Sequence, residues 1–179
     1  VFHIDFNVGD FTLSGNLEAR IEETLAAWEK LYGRSDTAQT TGARFIHVLH
    51  QARKWYGRRC VVLIDEYDKP ILDVLDTGYA TTIDGERRLL EDRNREILKN
   101  LYSVFKTADE DLQFVLLTGV TKFSQVSVFS GFNQPADISM ASQYETLCGI
   151  TQEELEHYFA GPIHELAETD GCTDEEMKT

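Results

Sequence analysis

Three short stretches of the chain are apolar almost throughout, and they predict β-strands. They are residues 1–6 (VFHIDF), 60–65 (CVVLID) and 112–118 (LQFVLLT). The last two do not alternate between apolar and polar residues, which is typical of parallel strands that helices cover on both faces. A further short strand is predicted at residues 138–140.

Between these strands, apolar residues recur every three or four positions, which predicts helices. A helix is predicted after residue 16, a second over about 43–56 and a long third one over 86–106, while the polar segment 73–85 is predicted to be a flexible insertion. Thr151 and Glu154 form a capping-box pattern that opens another helix. The predicted buried positions are Leu17, Ile21, Leu25, Trp28, Tyr32, Phe45, Leu49, Trp55, Leu90, Ile97, Leu101 and Phe105.

Strands that alternate with helices predict an α/β fold with a mostly parallel sheet flanked by helices. We expect residues 1–149 to form this α/β core and residues 150–179 to begin a helical lid or linker. In open parallel sheets, ligands bind beyond the carboxyl ends of the strands. Chemistry is therefore expected just after Phe6, Ile64 and Leu117.

The composition of the chain disfavours several classes of protein. The net charge of −14 argues against a general affinity for nucleic acid, because phosphate contacts need clustered Lys and Arg, although a local basic site is compatible with it. Cys60, Cys148 and Cys172 lie far apart and form no CxxC pair, which fits a reducing cytoplasm better than a disulfide scaffold or a zinc site. No stretch approaches the roughly 18 to 20 apolar residues of a membrane span.

The candidate chemistry begins where the second strand ends, at Asp65-Glu66-Tyr67-Asp68-Lys69. An apolar strand that ends in Asp-Glu has the pattern of a Walker B strand, in which the first carboxylate reaches Mg²⁺ and the second polarises the attacking water. Asp65 is therefore the candidate metal ligand and Glu66 the candidate catalytic base. Glu66 can serve the water only if the chain turns at Asp65, because neighbouring strand residues point to opposite faces. Asp68 and Lys69 are interpreted as a local ion pair or a helix start.

The third strand ends in polar residues at the same edge. Thr118 is a candidate sensor, a polar residue that hydrogen-bonds the γ-phosphate or the attacking water, and Lys122 is a candidate phosphate contact that acts as a point charge. Simpler interpretations remain open. Asp65 and Glu66 could meet solvent or cap a helix, Thr118 could be a β-former at a strand end, and Lys122 could be a solvated loop residue.

Three longer motifs carry a family resemblance: VVLIDEYDKPILD at 61–73, the segment 100–140 that contains LQFVLLTGVTKFSQ, and YETLCGITQEEL at 144–155. Together they resemble the AAA-ATPase-like family of bacterial proteins, which are often joined to a C-terminal PD-(D/E)XK nuclease-like domain. The resemblance implies an additional-strand P-loop NTPase core that uses ATP and Mg²⁺. It also implies Asp65 as the magnesium carboxylate, Glu66 as the base and Thr118 as the sensor.

The chain departs from that family pattern in one respect, because it contains no GxxxxGK(S/T) phosphate-binding loop. We therefore expect a P-loop core that is incomplete at its N-terminus. Such a chain would bind ATP weakly and hydrolyse it negligibly by itself, and would act as an ATPase within the full-length protein. As a hypothesis, the sheet edge left open by the missing strand is filled by formation of a homo-oligomer.

Two other functions stay open on the sequence alone. The first is a non-catalytic interaction module with a degenerate NTPase fold. The second is a metal-dependent nuclease that uses Asp5, Asp65 and Glu66. The nuclease is disfavoured by the acidic charge and by Lys69, which follows Glu66 by three positions where a (D/E)XK signature needs two.

Overall fold

The computed structural model describes residues 1–121, 135–147 and 149–178, which fall into two compact units, residues 1–135 and 136–179. The first unit is α/β, as predicted. Its elements in chain order are β1 (Phe2–Asp5), α1 (Asn16–Tyr32), α2 (Thr41–Tyr56), β2 (Cys60–Asp65), α3 (Lys69–Leu72), β3 (Ala80–Ile83), β4 (Glu86–Leu89), α4 (Leu90–Tyr102), α5 (Val104–Thr107) and β5 (Leu112–Leu117).

The main sheet has the strand order β1-β2-β5, and both pairs of neighbouring strands are parallel. This confirms the predicted parallel sheet. Asp5 lies opposite Asp65 in the register of β1 and β2, and Ile64 lies opposite Leu117 in the register of β2 and β5. The carboxyl ends of all three strands therefore meet at one edge.

One face of the main sheet forms the hydrophobic core with α1, α2, α4 and α5. Phe2, Ile4, Val62 and Ile64 point into this core, where they are almost completely buried. The prediction that helices cover both faces is wrong for the described residues. On the opposite face, His3 of β1 is exposed, and 51% of the Phe114 surface in β5 is accessible.

The predicted helices α1 and α2 are present, and both contribute their apolar stripe to the core. Trp55 is the exception, because it is 63% exposed and contacts the ring of Tyr32 at 5.9 Å between centroids. Gly57 ends α2 with a left-handed φ of 63°, a conformation that glycine adopts without steric cost.

A β-hairpin replaces the predicted flexible insertion and the first turn of the predicted long helix. Its strands β3 and β4 pair antiparallel, with Ala80 opposite Leu89 and Ile83 opposite Glu86. The connecting residues Asp84 and Gly85 have φ values of 51° and 83°, as the favoured two-residue hairpin turn requires. The helix therefore begins only after this hairpin, and α4 ends before α5 begins.

The second unit, residues 136–179, contains the helices α6 (Gln152–Tyr158), α7 (Ala160–Asp170) and α8 (Asp174–Met177). The predicted capping box is confirmed, since the Thr151 side chain accepts from the Glu154 N–H and the Glu154 carboxylate accepts from the Thr151 N–H. The strand predicted at 138–140 is wrong, because this segment forms a turn. No described helix combines the length and hydropathy needed to cross a membrane.

Candidate functional site at the carboxyl edge of the sheet

Two carboxylates end neighbouring strands at the carboxyl edge of the main sheet. Asp5 of β1 and Asp65 of β2 are register partners, and adjacent strands lie about 4.8 Å apart. Because partners in a parallel ladder point to the same face, both carboxylates lie on the more open face of the sheet. Asp65 is exposed, whereas Asp5 is half-buried.

The Asp65 side chain is tied to the end of β5. Its Oδ1 atom accepts a hydrogen bond from the Thr118 hydroxyl and a second one, of 3.2 Å, from the Glu66 N–H. The structure therefore brings Asp65 and Thr118 together. Among the described residues, Oδ2 of Asp65 accepts no hydrogen bond, so this oxygen has lone pairs available for a hard cation such as Mg²⁺.

Glu66 adopts an unusual backbone conformation. Its φ is 53°, in the left-handed region that non-glycine residues rarely adopt. The sequence analysis required a turn at Asp65 for Glu66 to serve the attacking water. The strand instead ends at Asp65, and the chain turns one residue later, at Glu66. This turn takes Glu66 out of the alternation of β2, and its side chain is half-buried.

The Asp5 carboxylate is partly engaged in local structure. Its Oδ1 accepts from the Asn7 N–H at 2.7 Å, while the Arg20 guanidinium donates to the Asp5 carbonyl oxygen at 3.1 and 3.2 Å. Asp5 therefore caps the loop after β1. Among the described residues, no three His, Cys, Asp or Glu side chains come close enough to hold a metal ion.

Asp68 makes contacts that the sequence analysis did not predict. Its side chain is fully buried, and Oδ2 accepts from the Thr121 N–H at 2.6 Å and from the Thr121 hydroxyl at 2.7 Å. Oδ1 accepts a longer bond of 3.4 Å from the Val120 N–H. The predicted ion pair with Lys69 is wrong, because Lys69 instead binds Asp73 at 2.6 Å. The alternative interpretation holds, since Asp68 directly precedes α3.

These bonds join the turn after β2 to residues 118–121, which we call the post-β5 segment. The Tyr67 N–H donates to the Thr118 carbonyl at 3.0 Å, and the Tyr67 hydroxyl donates to the Thr121 carbonyl. Gly119 packs so closely that a Cβ atom would lie 2.5 Å from Asp68 Oδ1 and 2.7 Å from the Tyr67 ring. Lys122, the predicted phosphate contact, lies outside the described residues.

The fold and the site together define an α/β protein with an open parallel sheet and a polar site at the carboxyl ends of its strands, where this class binds its ligands. Residues 1–129 match the AAA-ATPase-like family, described as "Predicted AAA-ATPase". The chain belongs to this family, and the resemblance drawn from its motifs is confirmed.

A curated relative is an "Uncharacterized protein in vnfD 5'region" of Azotobacter chroococcum mcd 1, which is 42% identical to the chain over 160 residues. The alignment covers 89% of this chain but 29% of the relative, so the chain spans less than a third of that protein's length. No solved structure matches the chain significantly.

Proposed function

We propose that this chain supplies the magnesium-binding and water-activating edge of an ATP-hydrolysing module. The observation that carries the proposal is the arrangement at the end of β2. The exposed Asp65 carboxylate is bonded by Thr118 from the next strand, and Glu66 turns out of the strand directly after it. Membership of the family agrees with nucleotide use.

The donor atoms at this edge fit Mg²⁺, which prefers oxygen ligands and keeps several of its waters. Such an ion is typically held by one or two carboxylates together with substrate phosphates, so a cluster of three protein ligands is not needed. Asp65 would hold the ion, with Asp5 on the neighbouring strand as the nearest further carboxylate. When bound, Mg²⁺ neutralises charge on the transferred phosphoryl group.

In this proposal, the remaining side chains act on the attacking water and the phosphate. Glu66 accepts the proton of the attacking water, and the Thr118 hydroxyl orients that water or the γ-phosphate. Lys122 adds a positive charge near the phosphates. The bond from the Thr118 hydroxyl to Asp65 supports this role, because it keeps the hydroxyl beside the proposed magnesium ligand.

The phosphate-binding loop of the module would come from another part of the longer protein. The described sheet has a free edge along β5, and Phe114 stands half-exposed in that strand. A further parallel strand paired with β5 would cover this residue. It would also bring its own carboxyl end, with the loop that follows, beside Thr118.

The nuclease alternative gains no support from the geometry, because Asp5, Asp65 and Glu66 do not form a three-ligand metal cluster. The non-catalytic interaction module remains the rival, and a test of hydrolysis separates it from the proposal.

The test uses the longer protein that contains this chain. Calorimetry measures the binding of Mg-ATP, and phosphate release measures hydrolysis. We expect Glu66→Gln to bind Mg-ATP while kcat falls by about 10² to 10⁴, the usual contribution of a general base. Asp65→Ala should weaken the magnesium-dependent binding itself.

The matched control is Glu86→Gln on the exposed hairpin, which removes the same charge away from the site and should leave kcat unchanged. Hydrolysis that survives Glu66→Gln would contradict the assigned base. An unaltered protein that neither binds nor hydrolyses Mg-ATP would favour the interaction module.

A further inference from the structure

We propose that Asp68 is the positioning residue of this site: its buried carboxyl group holds the post-β5 segment so that the Thr118 hydroxyl meets Asp65. This inference rests on the proposed ATPase function and assigns a role to a residue outside the Asp-Glu pair.

The first argument is the environment of Asp68. A carboxyl group removed from water is stable only when its oxygens find hydrogen-bond donors or a cation. Among the described residues, the Asp68 side chain accepts three hydrogen bonds, all from Val120 and Thr121, and the neighbouring cation Lys69 is engaged by Asp73. The group is therefore used to bind the segment that follows β5.

The second argument is the distance along the chain that these bonds span. Asp68 lies three residues after Asp65, and the bond to Val120 joins positions that are 52 residues apart. Residues 65–68 and the post-β5 segment are also joined at their first residues, by the bond between Asp65 and Thr118. Asp68 and Asp65 thus hold the two ends of one four-residue segment, 118–121.

The third argument is the close packing between these two ends. Gly119 leaves no room for a Cβ atom between Asp68 and the Tyr67 ring, and the Tyr67 N–H bonds the Thr118 carbonyl. Loss of the Asp68 bonds at Thr121 would therefore move the backbone that sets the direction of the Thr118 hydroxyl. A displacement near 1 Å can lower a rate by about 10²-fold.

A purely structural role predicts a different result. It would lower the melting temperature while leaving the turnover of the folded molecules unchanged. A positioning role lowers kcat and leaves the KM for Mg-ATP nearly unchanged, because the groups that bind the substrate stay in place.

The test compares variants of the longer protein at a temperature where all of them are folded. Asp68→Asn replaces one of the two acceptor oxygens by an NH₂ group, so that either Val120 or Thr121 loses its acceptor, and the remaining oxygen no longer carries a negative charge. We expect kcat to fall about 10-fold to 100-fold, with KM within about twofold. The matched control Asp73→Asn removes a carboxylate five positions away whose described partner is Lys69, and it should retain kcat.

A second pair of variants covers the case in which Asp68→Asn fails to fold. Thr121→Val removes only the hydroxyl donor, and Thr121→Ser keeps it. We expect kcat to fall in the first and to be retained in the second. Hydrogen exchange of the Thr121 amide in the 179-residue chain gives a readout without activity, and it should accelerate in Asp68→Ala, which removes both acceptor oxygens.

The outcomes separate the positioning role of Asp68 from the proposed ATPase function. Unchanged kcat in Asp68→Asn, or in Thr121→Val where Asp68→Asn does not fold, would overturn the positioning role. Unchanged exchange of the Thr121 amide in Asp68→Ala would do the same. The proposed function would survive that result if Glu66→Gln still lowered kcat by about 10² to 10⁴. Absence of hydrolysis in the unaltered protein would overturn both.

Discussion

At the scale of single residues, the backbone of Glu66 is under strain. A left-handed conformation costs a residue with a Cβ atom roughly 1 to 2 kcal/mol, because Cβ approaches the following carbonyl oxygen. The φ of 53° at Glu66 places this cost directly after the magnesium candidate Asp65. Strain of this kind persists where the surrounding structure enforces it, and it concentrates at functional sites.

Substitution of Glu66 tests the strain independently of any activity. We expect Glu66→Gly to have a free energy of unfolding about 1 kcal/mol higher than Glu66→Ala, since glycine adopts positive φ without the Cβ contact. Urea denaturation of the 179-residue chain, followed by circular dichroism, measures both values.

The same pair of substitutions at Glu96 is the control, because this residue lies inside α4. There the alanine variant should be more stable than the glycine variant by about 0.5 to 1 kcal/mol. An alanine variant that is also the more stable one at position 66 would contradict the strain.

At the scale of elements, one guanidinium group joins α1 to α2. Arg44 of α2 forms bonds of 2.7 Å from Nε and Nη2 to the two carboxylate oxygens of Glu29, and it also binds Glu22. The side chains of Arg44 and Glu29 are 7% and 6% exposed. These hydrogen bonds from Arg44 hold the pKa of Glu29 below its usual value, against the opposing effect of burial.

Removal of the Arg44 guanidinium alone should destabilise the fold strongly. We expect Arg44→Met to lower the free energy of unfolding by about 3 to 5 kcal/mol, because it leaves the buried Glu29 carboxylate without its hydrogen-bonded cation and with only Arg34 at 4.0 Å. The double variant Arg44→Met/Glu29→Leu should recover much of this loss. Chemical denaturation measures all three proteins, and a double variant no better than Arg44→Met would contradict the explanation.

The lowered pKa of Glu29 determines how its contribution to the stability of the fold changes with pH. A carboxylate whose folded pKa is depressed stabilises the fold above its unfolded pKa, which is about 4.3 for Glu. The contribution of Glu29 should therefore be complete at neutral pH and disappear as the pH falls through its folded pKa. The double variant, which lacks this carboxylate, should lose less stability between neutral and acidic pH than the unaltered chain.

Sequence patterns predicted some elements better than others. β2 and β5 were predictable because each is a bounded apolar run, and the meeting of Asp65 with Thr118 followed from parallel strand ends. The β3–β4 hairpin was missed although Asp84-Gly85 is a turn signal, because its strands are largely exposed and carry no hydrophobic alternation. The bonds of Asp68 to Val120 and Thr121 were not predicted because these partners lie more than 50 positions away, beyond any local pattern.

At the scale of the whole molecule, charge and apolar surface are unevenly distributed. Residues 136–179 carry eleven of the 31 acidic residues but only one of the 17 basic residues. In the first unit, the main sheet has one packed face, and the half-exposed Phe114 lies on the other face of its edge strand β5. An exposed apolar edge strand is a surface on which another strand can pair.

The 179-residue chain should therefore self-associate through β5. We expect its average mass in light scattering to exceed that of the monomer and to rise with concentration. Phe114→Lys should shift the mass towards the monomer, since a charged side chain on an edge strand opposes pairing. Trp55→Lys is the control, because Trp55 is also more than half exposed but lies on a helix. A monomeric mass at high concentration would contradict the prediction.

The fit of Gly119 against Asp68 has a consequence for how the chain can vary. Because a Cβ atom there would lie 2.5 Å from a carboxyl oxygen, every other amino acid collides at this position. Val120, the next residue, is 77% exposed, and its side chain is open to replacement. Two neighbouring positions thus differ sharply in the substitutions that the fold accepts. Position 120 accepts many side chains, whereas position 119 accepts only glycine.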